Sequence, residues 1–555
     1  MIIVLDYGSQ YTQLIARRLR GQGFLAEVLP GSARARDVLA RRPRGVILSG
    51  SPASVEPLVA PGGDASDEPA PVEHAPDPAL LQACTEAGVP VLGLCFGYQY
   101  IASRLGGRVE TGTHREYGAA QVQRTAAGRT DPLTARISPV TQVWMSHGDS
   151  VTALPPGAVL LLTSKGRPAG FALPEQRLWG LQFHPEVYHT PEGKILLESF
   201  ARDICQQAPD WNLRSVLDDV KARLREELRG VDEVVCAVSG GVDSTVMAVL
   251  LSQVTKVHAL FVDHGFVRAY DVANLRSVFA RYPNIRLDVV DASQRFWAAL
   301  EGVSDPEVKR KTIGRLFVET FAAQVGEQRF THLAQGTIYS DVIESAAAAS
   351  HGPPVSGPPV SGSPSSSPGS RPPTSGGRAG ASHTIKSHHN VGGFPPDAKV
   401  TLVEPLRRFF KDEVRELGAL LGIDPEVLHL HPFPGPGLAI RCIGPLERER
   451  IETLRRCDAL FYEELHRRDL YHRTWQAFVV LLPVQSVGVM GDSRSYESVV
   501  AIRAVSSVDA MTAEVTELPF SDLLPIASRL INEVRGINRV VFDLTSKPPG
   551  TIEWE

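Results

Sequence analysis

Short apolar runs that end in glycine turns and give way to helix-spaced apolar residues recur along much of this sequence. Ile2–Leu5 leads into Gln10–Arg20, and Gly45–Leu48 and Val89–Leu94 each run into a Gly-rich turn. Val234–Val238 leads into Ser244–Leu251, and Val257–Val262 and Ile285–Val290 follow with helical patterns between them. Strands separated by helices pair in parallel, with the helices covering the sheet faces. Two successive α/β units are therefore predicted, over 1–206 and 207–430, the second a doubly wound parallel sheet. The remainder, 431–555, places a helical pattern at Glu447–Leu465 before strand patterns at Ala477–Leu482, Val499–Arg503 and Arg539–Leu544, which predicts a compact α+β unit. A length of 555 residues suits three such domains.

Composition narrows the chemistry. Hydrophobic residues make up 43% of the chain and the formal net charge is −5, so a dedicated nucleic-acid binder is disfavoured while a local basic site for a phosphorylated ligand is not. Six cysteines without a Cys-x-x-Cys pair exclude a disulfide scaffold and a zinc ribbon, and predict a reducing, cytoplasmic home. The first residues lack the basic region of a secretory signal, and no apolar run approaches the roughly 18–20 residues of a membrane span. No membrane partner is expected. Ala60–Pro78, rich in Pro, Ala, Gly and acid, reads as a solvated loop. Residues 346–383, dominated by Ser, Pro and Gly, read as a disordered insertion, because such a segment buries too little to offset its ordering entropy.

Val-Pro-Val-Leu-Gly-Leu-Cys-Phe-Gly-Tyr-Gln, residues 89–99, carries the first chemical constellation. A lone Cys at a strand end is usually core packing, and Cys84, Cys205 and Cys236 are read that way. Cys95 differs: Gly93 and Gly97 permit a sharp strand-to-helix turn, and a helix N-terminus favours the thiolate. His184 and Glu186 in Phe-His-Pro-Glu sit two residues apart, on one side of an extended chain, as a base and its orienting carboxylate would. Backbone N–H groups near Gly50, in Ser-Gly-Ser-Pro, and at Phe96 are candidate oxyanion donors. His147 reads as structural support for the cleft.

The second constellation is Val-Ser-Gly-Gly-Val-Asp-Ser at 238–244. A bare glycine pair is usually a turn. Here the string follows a strand and opens a helix, which makes Ser239, Gly240, Gly241, Val242, Asp243 and Ser244 a candidate phosphate cradle. It is not a Walker A loop, because its Lys is missing. A carboxylate among phosphates needs a cation, so Mg²⁺ at Asp243 is inferred.

Residues 1–205 resemble the class I glutamine amidotransferases. That resemblance implies Cys95 as nucleophile, His184 as base and Glu186 as its orienter, releasing ammonia from glutamine. The 238–244 string resembles the pyrophosphate loop of the N-type ATP pyrophosphatases, which adenylylate a carbonyl oxygen for displacement by a nucleophile. Three further strings complete the pattern: Gln335–Ser345, Ile-Lys-Ser-His-His-Asn-Val-Gly-Gly at 385–393, and Lys-Pro-Pro-Gly-Thr-Ile-Glu-Trp-Glu at 547–555. Together, across nearly the whole chain, they resemble the glutamine-hydrolysing GMP synthase family. The resemblance implies ATP-dependent amination of XMP with glutamine as nitrogen source. It implies XMP held by Arg310, Gln476, Lys547, Ile552 and Glu553, a lid carrying Lys386, and a C-terminal dimerisation domain in a homodimer. Only ten of the 57 basic residues are lysines, which singles out Lys386 and Lys547. His388 and His389, adjacent in a loop, read as polar surface or phosphate donors ahead of metal ligands.

Departures are Ser51, where the oxyanion strand usually reads Gly-Gly-Pro; Ser340, where Pro is usual; and the insertion beside the lid string. Another ATP-pyrophosphatase amidotransferase, such as an NAD synthetase, is disfavoured because its glutaminase is of a different type. A non-catalytic XMP- or ATP-binding homologue is disfavoured by the joint presence of nucleophile, base, phosphate loop and terminal Lys.

Overall fold

The computed structural model describes residues 1–55, 75–328, 330–339, 341, 400–490, 493–507, 513–547 and 549–555. The insertion at 346–383, most of the loop at 60–78, Ser340, Lys386, His388 and His389 lie outside the described residues. The chain forms two compact units, Met1–Asn212 and Leu213–Glu555.

The first unit is built on a nine-stranded sheet: β1 (Ile2–Asp6), β2 (Ala26–Pro30), β3 (Gly45–Leu48), β4 (Val91–Leu94), β5 (Arg108–Arg124), β6 (Val140–Ala153), β7 (Val159–Ser164), β8 (Arg167–Leu173) and β9 (Leu178–Leu181), in the order β2-β1-β3-β4-β9-β8-β7-β5-β6. From β2 to β9 neighbouring strands are parallel. These strands are covered on both faces, and β3, β4 and β9 are buried at every residue, which is why they read as unbroken apolar runs. The helices Thr12–Gly21 and Phe96–Arg104 are among those packed on this half.

The sheet is not parallel throughout, as the alternation had predicted. β8, β7, β5 and β6 continue it antiparallel. The reason is visible in β6, whose first residues alternate exposed and buried, the signature of a strand with one solvated face. Residues 207–212 pack on this unit: Trp211 N–H donates to the Gly23 carbonyl at 2.8 Å, and the Arg20 guanidinium lies 4.6 Å over the Trp211 ring.

The second unit opens on a five-stranded parallel sheet: β10 (Glu233–Ala237), β11 (Lys256–Asp263), β12 (Ile285–Asp291), β13 (His332–Ala334) and β14 (Thr401–Val403), in the order β12-β11-β10-β13-β14. The chain winds outward from β10 to β12, then crosses to β13 on the other side. The carboxyl ends of β10 and β13 thus flank a topological switch point, the usual crevice for a nucleotide in such sheets. The helix Val242–Ser252 that follows β10 is buried at every residue but Asp243, which is half-buried.

The carboxyl-terminal part adds β15 (Gln476–Met490), β16 (Ser493–Ser506), β17 (Glu514–Val515) and β18 (Ile537–Phe542), with helices Arg448–Arg467 and Phe520–Glu533. β15 and β16 pair antiparallel through a register shift between Leu481 and Gln485, and outrun their predicted ends because the described residues of their distal halves include none that is buried. One core joins Phe266, Phe296 and Leu316 to Leu438, Phe461, Val500 and Ile537, so this part shares its packing with the parallel sheet.

Candidate active site

Cys95 ends β4 with φ 52° and ψ −101°, and the helix begins at the next residue. An L-residue rarely adopts that conformation, and surrounding structure must enforce it. The neighbouring glycines do so by close approach. A Cβ on Gly93 would stand 2.4 Å from the Gly97 carbonyl carbon, and one on Gly97 would stand 2.5 Å from the Leu48 oxygen. The turn therefore lifts the thiol above the sheet while β3 and β4 stay packed.

Cys95 Sγ lies 3.6 Å from the Ser146 oxygen, and its sulfur stands close enough to the His184 ring to favour the charged imidazole. His184 Nδ1 meets Glu186 Oε1 at 2.7 Å, with both side chains buried. Two backbone bonds fix the His184 segment: its N–H donates to the Trp144 carbonyl at 3.1 Å, and Thr190 Oγ1 donates to its carbonyl at 2.7 Å. Burial opposes charging of the imidazole. The Glu186 carboxylate and the Cys95 sulfur outweigh it and hold His184 well above its ordinary range. The structure thus brings Cys95, His184 and Glu186 together.

Phe96, as the first helical residue, has no intrahelical partner for its N–H. Gly50 follows β3, and a Cβ there would come within 3.0 Å of His184 Cε1, so the Gly50 backbone borders the same space. Ser51 is accommodated. It is not among the described residues with positive φ, and its hydroxyl accepts the Ala53 N–H at 3.1 Å. A cavity of about 280 Å³ lies along β5, β6 and the β7–β8 turn, lined by Arg115, Glu116, His147, Lys165, Arg167 and Gln182. Lys165 pairs with Glu116 at 2.6 Å, and burial pulls His147 below its ordinary range.

In the second unit the 239–244 loop leaves β10 at the switch point. Ser239 N–H donates to Ser244 Oγ at 3.2 Å, and Ser244 Oγ donates to the Gly241 carbonyl at 3.1 Å. Gly240 adopts φ +77°, which only glycine takes without strain. Gly336, near the start of the 335–345 string, stands beside this loop: a Cβ there would lie 3.4 Å from Ser244 N. The cation missing from the string arrives from a distant element. Lys411 Nζ bonds Asp243 Oδ2 at 2.6 Å, across 168 residues of sequence. Asp243 Oδ1 is buried without a partner. A single carboxylate oxygen of this kind, joined by substrate phosphate oxygens, suits Mg²⁺, which seldom takes an all-protein cage. Among the described residues no cluster of three or more His, Cys, Asp or Glu offers such a cage.

The 547–555 segment is fastened inside the second unit. Glu553 accepts from Arg441 Nε at 3.1 Å, Arg441 Nη2 at 2.8 Å and Gln476 Nε2 at 2.8 Å. Ile552 packs with Phe478, Val480 and Ala513, and the Lys547 backbone pairs with Ala513. Arg310 bonds the Glu555 carbonyl, and the fully buried Lys309 donates to Glu555 Oε2 at 2.6 Å and to the Cys442 carbonyl at 2.8 Å. Arg503, also fully buried, donates to the carbonyls of Thr545, Thr551 and Ile552. Arg310, Gln476, Ile552 and Glu553 are thereby gathered at one segment.

Lys411, Arg441, Arg503 and Lys309 were not singled out from sequence. The scarcity of lysine was a usable signal for Lys411. The arginines had none, among 47 in the chain.

Residues 3–204 match the family described as glutamine amidotransferase class-I, and residues 463–554 match the GMP synthase C-terminal domain. The chain is 46% identical to the GMP synthase (glutamine-hydrolyzing) of Phenylobacterium zucineum over 563 residues, 45% to that of Methylococcus capsulatus over 565, and 47% to that of Bartonella quintana over 560. Each match spans 100% of this chain and 98% of the relative. Likeness of this extent, taken with both domain matches, makes the chain a member of the glutamine-hydrolysing GMP synthase family.

Proposed function

We propose that this enzyme converts XMP to GMP with ATP and ammonia drawn from glutamine, releasing AMP, pyrophosphate and glutamate. The observation that carries the glutaminase half is the strained Cys95 in contact with a His184 that Glu186 holds toward its charged form. In this reading the Cys95 sulfur attacks the glutamine side-chain carbonyl carbon. The oxyanion takes the N–H groups of Gly50 and Phe96. His184 gives its proton to the departing ammonia and leaves a glutamyl thioester, then takes a proton from the water that hydrolyses it. The cavity beside β6 suits the two charged ends of an amino acid, with Arg115 and Arg167 for the carboxylate and Glu116 for the ammonium group.

In the synthetase half, the loop Ser239–Ser244 and Lys411 would hold the β- and γ-phosphates of ATP, and the adenine would lie beside β11. The XMP 2-oxygen displaces pyrophosphate from the α-phosphorus, and ammonia then displaces AMP from C2. Mg²⁺, when bound by Asp243 with the phosphates, neutralises phosphate charge. Lys386 would join from the lid string, while Arg310, Gln476, Lys547, Ile552 and Glu553 would hold XMP.

The reading extends to a cytoplasmic homodimer. Val487, Val489 and Tyr496 are exposed on one face of the β15–β16 arm, since Val487 stands opposite Tyr496 in the register. A patch of this kind on a two-stranded arm suits a second copy.

The test compares glutamine with ammonium as nitrogen source in wild type and Cys95→Ala, following pyrophosphate and GMP. Both sources should support wild type, and ammonium alone the variant. Chelation of Mg²⁺ should stop pyrophosphate release from either. A variant that still uses glutamine would overturn the assignment of Cys95.

A further inference from the structure

Arg441 follows the Pro/Gly-rich run at 432–437 and is almost wholly buried. Its guanidinium lies 4.0 Å from the Phe478 ring centroid and 5.1 Å from that of Phe433, so aromatic rings fix its plane. Within that plane it meets Glu553 through two nitrogens, at 2.8 and 3.1 Å. This is the bidentate geometry that orients a carboxylate as well as binding it. Its other acidic neighbour, Asp458, stands 4.0 Å away and leaves Oδ2 without a partner. Burial pushes the Asp458 carboxyl up, against the pull of Arg268 and Arg441. Arg441 therefore spends its hydrogen bonds on Glu553.

A carboxylate offers about four acceptor sites. Arg441 fills one on each oxygen, and Gln476 fills a second on Oε1. What remains is one directed acceptor on Oε2. We infer that Arg441 is a positioning residue for XMP: it holds Glu553 in the orientation from which that acceptor receives a purine ring N–H. The inference rests on the reading of Glu553 as an XMP ligand. It adds a group that acts through Glu553 and need not touch the nucleotide.

The experiment uses the full chain with ammonium as nitrogen source and saturating Mg-ATP. KM for XMP, KM for ATP, kcat and melting temperature are measured for Arg441→Lys, Glu553→Gln and the double variant. Lysine keeps the charge and loses the two-nitrogen fork. The expected result is a KM for XMP raised about tenfold or more in each single variant, with KM for ATP moved less than about threefold. The double variant should be no worse than Glu553→Gln alone, since both substitutions break one unit.

If Glu553→Gln raises KM for XMP and Arg441→Lys does not, Arg441 has no positioning role. If neither raises it, the reading of Glu553 falls and the inference with it. If Arg441→Lys raises both KM values together and lowers the melting temperature, its role is general support and the inference is overturned. Should Arg441→Lys fail to fold, Phe433→Leu loosens one face of the stack while keeping the guanidinium. It should raise KM for XMP about threefold, and an unchanged value overturns the inference.

Discussion

Glu186→Gln is the sharpest perturbation of the glutaminase site, because it removes a charge and almost nothing else. The Gln side chain is isosteric, and its oxygen can still accept from His184 Nδ1 where Glu186 Oε1 does so at 2.7 Å. What disappears is the attraction between the carboxylate and the imidazolium that His184 carries into the attack. Charge centres about 4 Å apart at an effective dielectric near 20 interact by about 4 kcal/mol. Part of that is already present in the resting enzyme, so roughly 2–3 kcal/mol should appear in the barrier. This corresponds to a fall in kcat/KM for glutamine of about 30- to 150-fold. The assay is glutamate release from glutamine, run beside GMP formation with ammonium. The ammonium reaction should stay within about twofold of wild type, since Glu186 belongs to the first unit and the nucleotide loop to the second. A glutamine-dependent rate within about threefold of wild type would refute the electrostatic role. A parallel loss with ammonium would refute its confinement to the first unit.

Lys411→Met should raise KM for ATP and cut pyrophosphate release about tenfold or more, because it removes the cation paired with Asp243 at 2.6 Å; steady-state kinetics with ammonium would show it. Gly97→Ala forces a Cβ to 2.5 Å from the Leu48 oxygen, and should lower stability by about 1–3 kcal/mol in denaturant titrations while abolishing glutamine use. Burial holds His264 and His431 down to about 4, against about 6.5 unfolded. The unfolded chain therefore binds more protons between pH 6.5 and 4, and stability is lost as pH falls through that window, by about 3 kcal/mol for each histidine. Urea midpoints at pH 7, 5.5 and 4.5 should fall accordingly, with a shallower fall in His431→Asn.

Much of the site was legible because its chemistry is local in sequence. The elbow at Cys95 needs only Gly93 and Gly97, and the loop at 239–244 needs only the strand before it and the helix after it. His184 and Glu186 lie two residues apart, so their pairing was readable, although the contact with Cys95 required the parallel pairing of β4 with β9. Part of the antiparallel half of the first sheet was missed because β5 and β6 alternate burial and exposure, where the reading had followed continuous apolar runs. The partners of Asp243 and Glu553 escaped for another reason. Lys411 lies 168 residues from Asp243 and Arg441 lies 112 from Glu553, and no local pattern reports a contact at that separation. The sequence argument placed Mg²⁺ beside Asp243; the structure places the Lys411 ammonium there, a cation that argument had not identified.

The described residues of the segment that carries Glu553 form no helix or strand after β18, yet the segment is tied to the sheet by a charge with no access to water. Arg503 spends its donors on three of that segment's carbonyls and pairs with Asp543 at 3.1 Å. Peeling the segment away would strand a guanidinium in the interior, a cost of several kcal/mol that no gradual fraying avoids. It should therefore open cooperatively with β16 or not at all. In native-state hydrogen exchange the Ala513 and Lys547 amides, which bond each other's carbonyls, should exchange as slowly as the strands they lie beside, although they sit in what looks like a loose end.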